Sequence, residues 1–579
     1  MYSRATCKVD EESGVINSIS RVKICTLILL TATAVVSPFV FYGYYPGDDV
    51  DFHTSLWFET ARQWQEGVLY ARWAGQAAFG YGNAAMVFYP PLSRILGGAL
   101  VAWVPSRLVL GAFGWLGIVV GGFSFFYMAR EFLNDRSSAV GAFAYMINPY
   151  NLGVLYIRCA FAEFLAAALF PMFVLAVLRL GVKGKRSVAL LALWIAVFWL
   201  TNIPAAIIAN YLGALMVLAL ALIRKSKSLL GRFIIAELLG AGLAAFYLLP
   251  AWVERPLIDV GQIFAWNPLV SFLLTGGWYK DTAWLYLMLN VGFIWEVLVG
   301  TLCLFWAKKF WSKQRDVSLA LGAVLGYSTL MCVSVSKLMW KYAPFLPYVQ
   351  FPWRWLFPLN FAAAFFIAAA LMQIKRHSWL AVVACGCSLA IILSCFTVRK
   401  RVLNSEELMA PLHSGAPIQG PLDYVPRAAG YDGDSATPGW ITGPRFAILN
   451  PVGRNQQDEA ADQARAETAS LPNISINSWN TQSRVFTVFS PGPAAVRVRL
   501  FYFPGWHVLV NGTEVENVER DAHDAVVVQV PSGRSRVRLE FKRTRDQSWG
   551  IIISCLVAIL VVAISLPNVN RQEHLCAMD

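Results

Sequence analysis

The sequence predicts a polytopic α-helical membrane protein of about twelve spans, with a small extracytoplasmic β-sandwich-like domain before the last helix. Three observations carry that prediction. The 579 residues are 57% hydrophobic and only 14% charged, with mean hydropathy +0.52, whereas a soluble domain carries about 25% charged residues. Runs of ~20 apolar residues, the length that crosses a bilayer, recur along the chain. One long stretch, 399–547, breaks that pattern and ends in alternating residues of strand type. The net charge of +13 sits mainly in short loops and one late segment. That distribution argues against a nucleic-acid partner and for the lipid bilayer.

The spans expected in order are 24–44, 107–131, 137–156, 160–180, 187–203, 204–223, 229–250, 285–307, 317–337, 352–374, 378–398 and 548–566. The first run is too long for a signal-peptide core and lacks a small-residue cleavage site, so it is a retained helix. The stretch 92–105 is apolar but short and ends at Pro105, as a partial or interfacial helix would. The chain thus divides into a multi-span domain over 1–398 with an outer loop at 45–91, an extracytoplasmic domain over 399–547 that is β-rich in 480–545, a C-terminal span at 548–566 and a cytoplasmic tail at 567–579. Orientation follows from basic loops. Arg4, Lys8, Arg21 and Lys23, then "RLGVKGKRS", "RKSKSLLGR", "KKFWSKQRD" and "KRH", fall on one side, and positive loops stay cytoplasmic. Both termini are then cytoplasmic. The loop 45–91, the 156–163 corner, the segments from Trp252 to Trp284 and from Leu338 to Phe351, and 399–547 lie outside. No internal repeat is visible.

In the extracytoplasmic domain, "AVRVRLFYF" puts Val496, Val498, Leu500 and Tyr502 on one face. "RVRLEF" does the same with Val537, Leu539 and Phe541. Asn511-Gly512 is a two-residue hairpin signal, and "PSG" at 531–533 is a second turn. No cysteine lies between Arg399 and Gln547, which excludes a disulfide framework there. Cys385 and Cys387 in "ACGCS" read as small packing residues, and no cysteine spacing suits zinc.

The stretch "YYPGDDVDFH" follows the first span. Pro46 and Gly47 break the helix, and Asp48 can cap a new one with Asp49 and Asp51 in its first turn. Capping leaves His53 unexplained. It falls one turn after Asp49 on the same face, followed by Trp57, Thr60 and Trp64. An acid, an imidazole and aromatic planes in line suit a sugar site with a proton acceptor. Asp48, Asp49 and Asp51 also supply the oxygen ligands that Mg²⁺ or Mn²⁺ takes. Arg72 and Trp73 lie on the same side. So do Arg158 and Glu163 in "LYIRCAFAEFL", Glu254 and Arg255 in "LLPAWVERPL", and Arg354 in "YVQFPWRWLFP", with Lys341 shortly before it. Each reads equally as a structural ion pair. Together they place fixed positive charge where a lipid phosphate lies. Glu237 and Glu296 lie within spans, where interior pairing or capping is the default.

Taken in order, "GDDVDFH", "EGVLYARW…FGYGN…FYPPL", "NPYNLGVLYIRCAFAEFLAAALFP", "LPAWVE", "QFPWRW" and "YFPGWHVLVNG…VPSGRSRVRLEF" resemble the YfhO-like bacterial membrane proteins, whose relatives carry the label "6-pyruvoyl-tetrahydropterin synthase-related". The whole resembles the GT-C glycosyltransferase architecture. The label implies no pterin chemistry here, because the chain lacks a soluble zinc-histidine domain. The resemblance implies an inverting sugar transferase in the bacterial cytoplasmic membrane. Its donor would be a polyprenyl-phosphate-linked sugar, and its acceptor an envelope glycan, lipid or protein. It implies that Asp49 or Asp48 is the catalytic base or a metal ligand; on the residues themselves, His53 would orient the acid or bind a phosphate oxygen. Substrate contacts then fall to Arg158, Glu163, Arg354, Lys341, Arg72, Trp57 and Trp73. Metal need differs among such enzymes and stays open. Two other readings share the same features: a transporter or flippase of lipid-linked glycans, and a non-catalytic scaffold for envelope assembly.

Overall fold

In the computed structural model the described residues are 13–43, 47–181, 184–258, 267–276, 283–372, 420, 424–429, 446–449 and 473–566. They form a helical bundle with a two-sheet β-domain at one end. The helices are α1 (Ser13–Tyr42), α2 (Val50–Gln65), α3 (Pro91–Trp103), α4 (Ser106–Ala129), α5 (Asp135–Met146), α6 (Pro149–Gly153), α7 (Phe161–Arg179), α8 (Lys185–Thr201), α9 (Ile203–Ile223), α10 (Ser228–Leu243), α11 (Ala245–Glu254), α12 (Ala283–Trp306), α13 (Arg315–Cys332), α14 (Lys337–Tyr342), α15 (Leu356–Leu371) and α16 (Arg545–Ser565). Among the described residues seven helices are long and apolar enough to cross a membrane. A bent pair, Ser228–Leu243 with Ala245–Leu257, makes an eighth.

Several expected spans take a different form. The span 137–156 is interrupted: α5 has 12 residues, about 18 Å of helix against a hydrocarbon core of about 30 Å. Asn148-Pro149 ends it, because the residue before a proline is pushed out of the α region. The expected span 229–250 bends by 76° between α10 and α11. The expected span 317–337 stops at Cys332 and continues as a 3₁₀ turn, Ser334–Ser336, and the short α14. The expected span 378–398 lies outside the described residues.

Asn202 caps α9 by accepting the Ala205 amide at 3.0 Å, and Pro204 sits in its first turn, which makes the tight hairpin with α8. Helix α2 lies across α3, where Gly97 and Gly98 let the backbone approach. A Cβ at Gly97 would stand 2.2 Å from the Trp57 ring, and one at Gly98 would stand 2.9 Å from Thr60.

The β-domain holds β1 (Phe446–Leu449), β2 (Asn473–Trp479), β3 (Ser483–Ser490), β4 (Ala494–Phe501), β5 (Trp506–Val510), β6 (Thr513–Glu514), β7 (Glu519–Arg520), β8 (Ala525–Val530) and β9 (Gly533–Phe541). Two antiparallel sheets, ordered β1-β4-β8-β7 and β2-β3-β9-β5-β6, share one apolar core. The alternation in the sequence is obeyed at Val496, Val498, Leu500, Val537 and Leu539, all fully buried, but it breaks at the strand end, where Tyr502 is half-buried and Phe501 and Phe503 fill the core instead, and Phe541 is half-buried too. Asn511 and Gly512 both take positive φ, 55° and 90°, and Val510 pairs with Thr513 across them. That is the geometry a two-residue hairpin needs.

A buried polar clamp ties the outer loop to the end of the chain. Arg72 donates to both oxygens of Glu254 at 2.7 and 2.9 Å and to Gln547 Oε1 at 3.1 Å. Thr544 adds a bond to Glu254 at 2.9 Å. Both charged side chains are 4% exposed. Arg72, expected to touch substrate, is thus spent on structure, and Glu254 pairs with it rather than with Arg255, whose guanidinium stacks on Trp252. Removing one partner of a buried pair leaves an uncompensated charge and costs about 3–5 kcal/mol. Arg72→Ala should therefore lower the thermal midpoint of the detergent-solubilised protein clearly. Arg72→Met combined with Glu254→Met should recover most of that loss.

Candidate functional site

The site begins with two backbone constraints. Asn148 Oδ1 accepts the Tyr150 amide at 2.7 Å and starts α6. The following turn, Val154–Arg158, is π-helical and closes on Cys159 in the left-handed region, φ 52°. A wide turn of this kind re-aims side chains and is frequent at functional positions. Against it lies Gly47, where a Cβ would stand 2.4 Å from the Ile157 carbonyl oxygen. Only glycine permits that crossing. Two residues on, the Asp49 amide donates to the Arg158 carbonyl at 3.0 Å.

This crossing assembles a chain of charges. Arg158 Nη2 donates to Asp49 Oδ2 at 3.4 Å, and Nη1 donates to Glu163 Oε2 at 3.1 Å. Arg354 Nε donates to the same Glu163 oxygen at 3.0 Å. The Tyr150 hydroxyl donates to Glu163 Oε1. Arg354 Nη1 is held by the Val349 carbonyl at 2.8 Å and Gln350 Oε1 at 2.9 Å. Glu163 is 3% exposed, Arg158 4% and Arg354 8%. Asp49 differs, with 37% of its side chain open. Burial works against the charge on Arg158, but Glu163 and Asp49 outweigh it and hold the guanidinium more firmly protonated than usual. Burial pushes the neighbouring Cys159 thiol up to about 12, which keeps it unreactive.

The helix after Gly47 starts at Val50, so the capping position belongs to Asp49 and not to Asp48. The Asp49 side chain makes no cap bond; it turns to Arg158 instead. Asp48 and Asp51 are exposed. Among the described residues no three His, Cys, Asp or Glu side chains gather as metal ligands. The trio Asp48, Asp49 and Asp51 therefore does not fit a protein-built Mg²⁺ or Mn²⁺ site, because Asp49 faces a guanidinium.

His53 does follow Asp49 by one turn, but its ring lies among Phe52, Tyr89 and Phe161 at centroid distances of 5.6, 5.7 and 5.6 Å. Burial lowers its pKa to about 4, against a smaller opposing pull from Asp49. A neutral, aromatic-walled imidazole packs the base of the site. Trp57 is fully buried and stacks on Phe113 at 4.7 Å. Trp73 is fully buried against Phe503, Trp506 and Phe541 of the β-domain. Neither ring is open to a sugar: aromatic planes on one helix face served packing here. Lys341 is exposed beside Tyr342 and takes no part in the charge chain. Arg158 and Arg354 point at carboxylates, so the two-nitrogen forks expected to grip a phosphate are already engaged.

Sequence reading passed over Tyr150, Gln350 and the Asn148–Glu296 bond, 2.7 Å from Asn148 Nδ2 to Glu296 Oε1. The "NPYN" motif held the signal for two of them: a proline-started turn flanked by amides and a phenol. Glu59 was passed over too. It is buried, accepts the Gly75 amide at 3.0 Å and Gln63 Nε2 at 2.9 Å, and so fixes the loop beyond α2.

No family model matches the chain, and no curated protein matches it. Solved structures do. The chain is similar to the arabinofuranosyltransferase AftD from mycobacteria, at 17% identity and TM-score 0.40 over 70% of this chain and 27% of that one. It is similar to ArnT from Cupriavidus metallidurans, solved with undecaprenyl phosphate, at 14% identity and TM-score 0.42 over 67% of this chain and 75% of that one. It is also similar to the archaeal oligosaccharyltransferase AglB from Archaeoglobus fulgidus, solved with an inhibitory peptide and a dolichol-phosphate. There the figures are 14% identity and TM-score 0.39, over 69% and 56% of the two chains. The chain thus spans about a quarter of the length of AftD and just over half that of AglB.

The neutral His53 has a measurable consequence. Its pKa is about 4 when folded and 6.5 as a free side chain. The unfolded chain therefore takes up a proton that the folded one refuses as pH falls below about 6.5. Stability from this group is complete above pH ~6.5 and declines to pH ~4, by about 3 kcal/mol in all. The difference in unfolding free energy between wild type and His53→Phe should change by that order over this window. A constant difference would show that the imidazole is not held neutral.

Proposed function

We propose that the protein is an integral membrane glycosyltransferase of GT-C type. It moves a sugar from a polyprenyl-phosphate donor to a hydroxyl acceptor on the outer side of the bacterial cytoplasmic membrane, with Asp49 as general base. The observation that carries this reading is the state of Asp49. It stands at a helix start without capping it. Its carboxylate is the open end of an otherwise buried Arg158–Glu163–Arg354 chain, where the end of the first span meets the starts of two others. The donor class and the side of the membrane come from the ordered motifs and the basic loops of the sequence.

The acceptor O–H would give its proton to the Asp49 carboxylate as its oxygen attacks the anomeric carbon. The bond from that carbon to the phosphate oxygen breaks, and the lipid phosphate leaves with the electron pair. Arg158 fixes the direction of the Asp49 carboxylate through its Nη2 bond at 3.4 Å. A double displacement would need a carboxylate nucleophile beside the sugar. Glu163 is unsuited to that task, since one oxygen is bonded to Tyr150 and the other to two guanidinium groups. The reading is therefore of a single displacement with inversion, which the engaged state of Glu163 supports. Glu163, Arg158 and Arg354 are positioning residues in this scheme.

General-base catalysis contributes roughly 10²–10⁴-fold. With purified protein and a panel of polyprenyl-phosphate sugars, Asp49→Asn should lower kcat by at least about a hundredfold with little change in donor KM. Asp48→Asn should stay within a few-fold of wild type. Near-normal turnover in Asp49→Asn would remove the base from this scheme. Movement of intact lipid-linked glycan without cleavage would indicate a flippase.

A further inference from the structure

Glu296 is a buried acid with no role in the catalytic scheme. It lies near the middle of Leu285–Trp306, the part of α12 long and apolar enough to cross a membrane. The helix turns Trp295 and Leu298 outward and buries Tyr286, Leu289, Phe293 and Glu296 along its inner face. Glu296, 2% exposed, is thus a carboxyl set into an apolar stripe. Among the described residues no lysine or arginine pairs with it, and its Oε2 is buried without a hydrogen-bond partner. A methionine or leucine would fill that space at lower cost. Packing therefore does not account for the residue, and an ionisable group kept inside a span points to function.

The bond that Glu296 does make shows where that function lies. Its Oε1 accepts from Asn148 Nδ2 at 2.7 Å. One turn earlier on α12, Gly292 faces Pro149: a Cβ there would stand 3.8 Å from the proline Cβ. Helix α12 thus holds the start of α6 by backbone approach and by one hydrogen bond. The Asn148 amide is a rigid plane, so fixing Nδ2 on Glu296 also fixes Oδ1. That oxygen accepts the Tyr150 amide at 2.7 Å. The Tyr150 side chain is buried, and its hydroxyl donates to Glu163 Oε1. From Glu163 the contacts run to Arg158 at 3.1 Å and on to Asp49 at 3.4 Å. A line of consecutive contacts leads from the inside of a span to the open carboxylate.

We infer that Glu296 is a positioning residue of this site. By holding Asn148 it sets the start of α6 and the Tyr150 hydroxyl, and through them Glu163, Arg158 and Asp49. As a statement about catalysis the inference rests on the reading of Asp49 as base, but the placement of Tyr150 can be measured without turnover.

The test uses the full-length protein with 3-fluorotyrosine at position 150, whose fluorine NMR resonance reports the surroundings of the phenol. Turnover is followed with the polyprenyl-phosphate sugar that the wild type accepts. Glu296→Met removes the acceptor at similar volume and should shift the resonance. It should also lower kcat by roughly tenfold to a hundredfold, the loss that a misplacement of about 1 Å brings, with little change in donor KM. Glu296→Gln keeps an oxygen for Asn148 and should stay close to wild type in both readouts. Asn148→Asp with Glu296→Gln reverses the bond: the new amide donates, and the new carboxylate accepts while keeping an oxygen for the Tyr150 amide. This pair should restore the resonance and kcat, whereas Asn148→Asp alone, which sets two carboxyl groups face to face, should not. A loss in Glu296→Met that Glu296→Gln and the reversed pair share would mean general damage to the fold and would overturn the inference. An unmoved resonance in Glu296→Met would overturn it too, and a loss of about a hundredfold in Asp49→Asn would then leave the catalytic reading intact. A resonance that moves and is restored, beside normal turnover in Asp49→Asn, would uphold the placement of Tyr150 and remove the base from the scheme.

Discussion

One carboxylate shared by two guanidinium groups organises the functional end of this molecule. Glu163 stands in the first turn of α7 with Arg158 on one side and Arg354, 191 residues away in sequence, on the other. Three charges buried together need every hydrogen bond made, because each ion left its hydration shell to be there. The structure answers with Tyr150 on the second oxygen of Glu163 and with Val349 and Gln350 on Arg354. Asp49 then receives the second terminal nitrogen of Arg158, Nη2. The acid is placed by the chain of charges rather than by its own helix.

The same arrangement explains which residues the sequence revealed and which it concealed. Composition exposed the spans, because ~20 apolar residues have few other uses. Val496, Val498, Val537 and Leu539 exposed the β-domain by simple alternation, and Asn511-Gly512 exposed a turn that demands positive φ. The helical spacing of Asp49 and His53 was also legible, since it depends only on local geometry. Their surroundings were not. Whether Trp57 meets a sugar or the ring of Phe113 depends on where α4 packs. Arg354 reads as a phosphate ligand until Glu163 is brought beside it. Arg72 and Glu254, 182 residues apart, gave no sign of each other. Long-range pairing is invisible to a pattern that repeats every few residues.

The loop after α1 shows how local irregularity and tertiary contact support one another. Gly47 lets the chain pass over the Ile157 carbonyl, and the π-turn with its left-handed Cys159 brings the Arg158 carbonyl to the Asp49 amide. Either irregularity alone would cost stability without return. Together they set a carboxylate and a guanidinium side by side. Glu59, further along α2, does comparable work with backbone amides at Gly75 and Gln76. The acidic residues of this segment thus divide between fixing the backbone and facing outward.

The clamp between Arg72 and the end of the chain also sets a schedule for biosynthesis. Gln547 lies 475 residues after Arg72. A ribosome adding 5–20 residues each second needs roughly half a minute to a minute and a half to make that interval. Glu254, the counter-charge of Arg72, is made 182 residues on, but through the rest of that time the clamp lacks its last partners. Helix α16 must be synthesised and inserted before the bonds of Thr544 and Gln547 can close over that pair. Helix α16 is therefore more than an anchor for the β-domain: its arrival adds the final bonds to a loop made hundreds of residues before it.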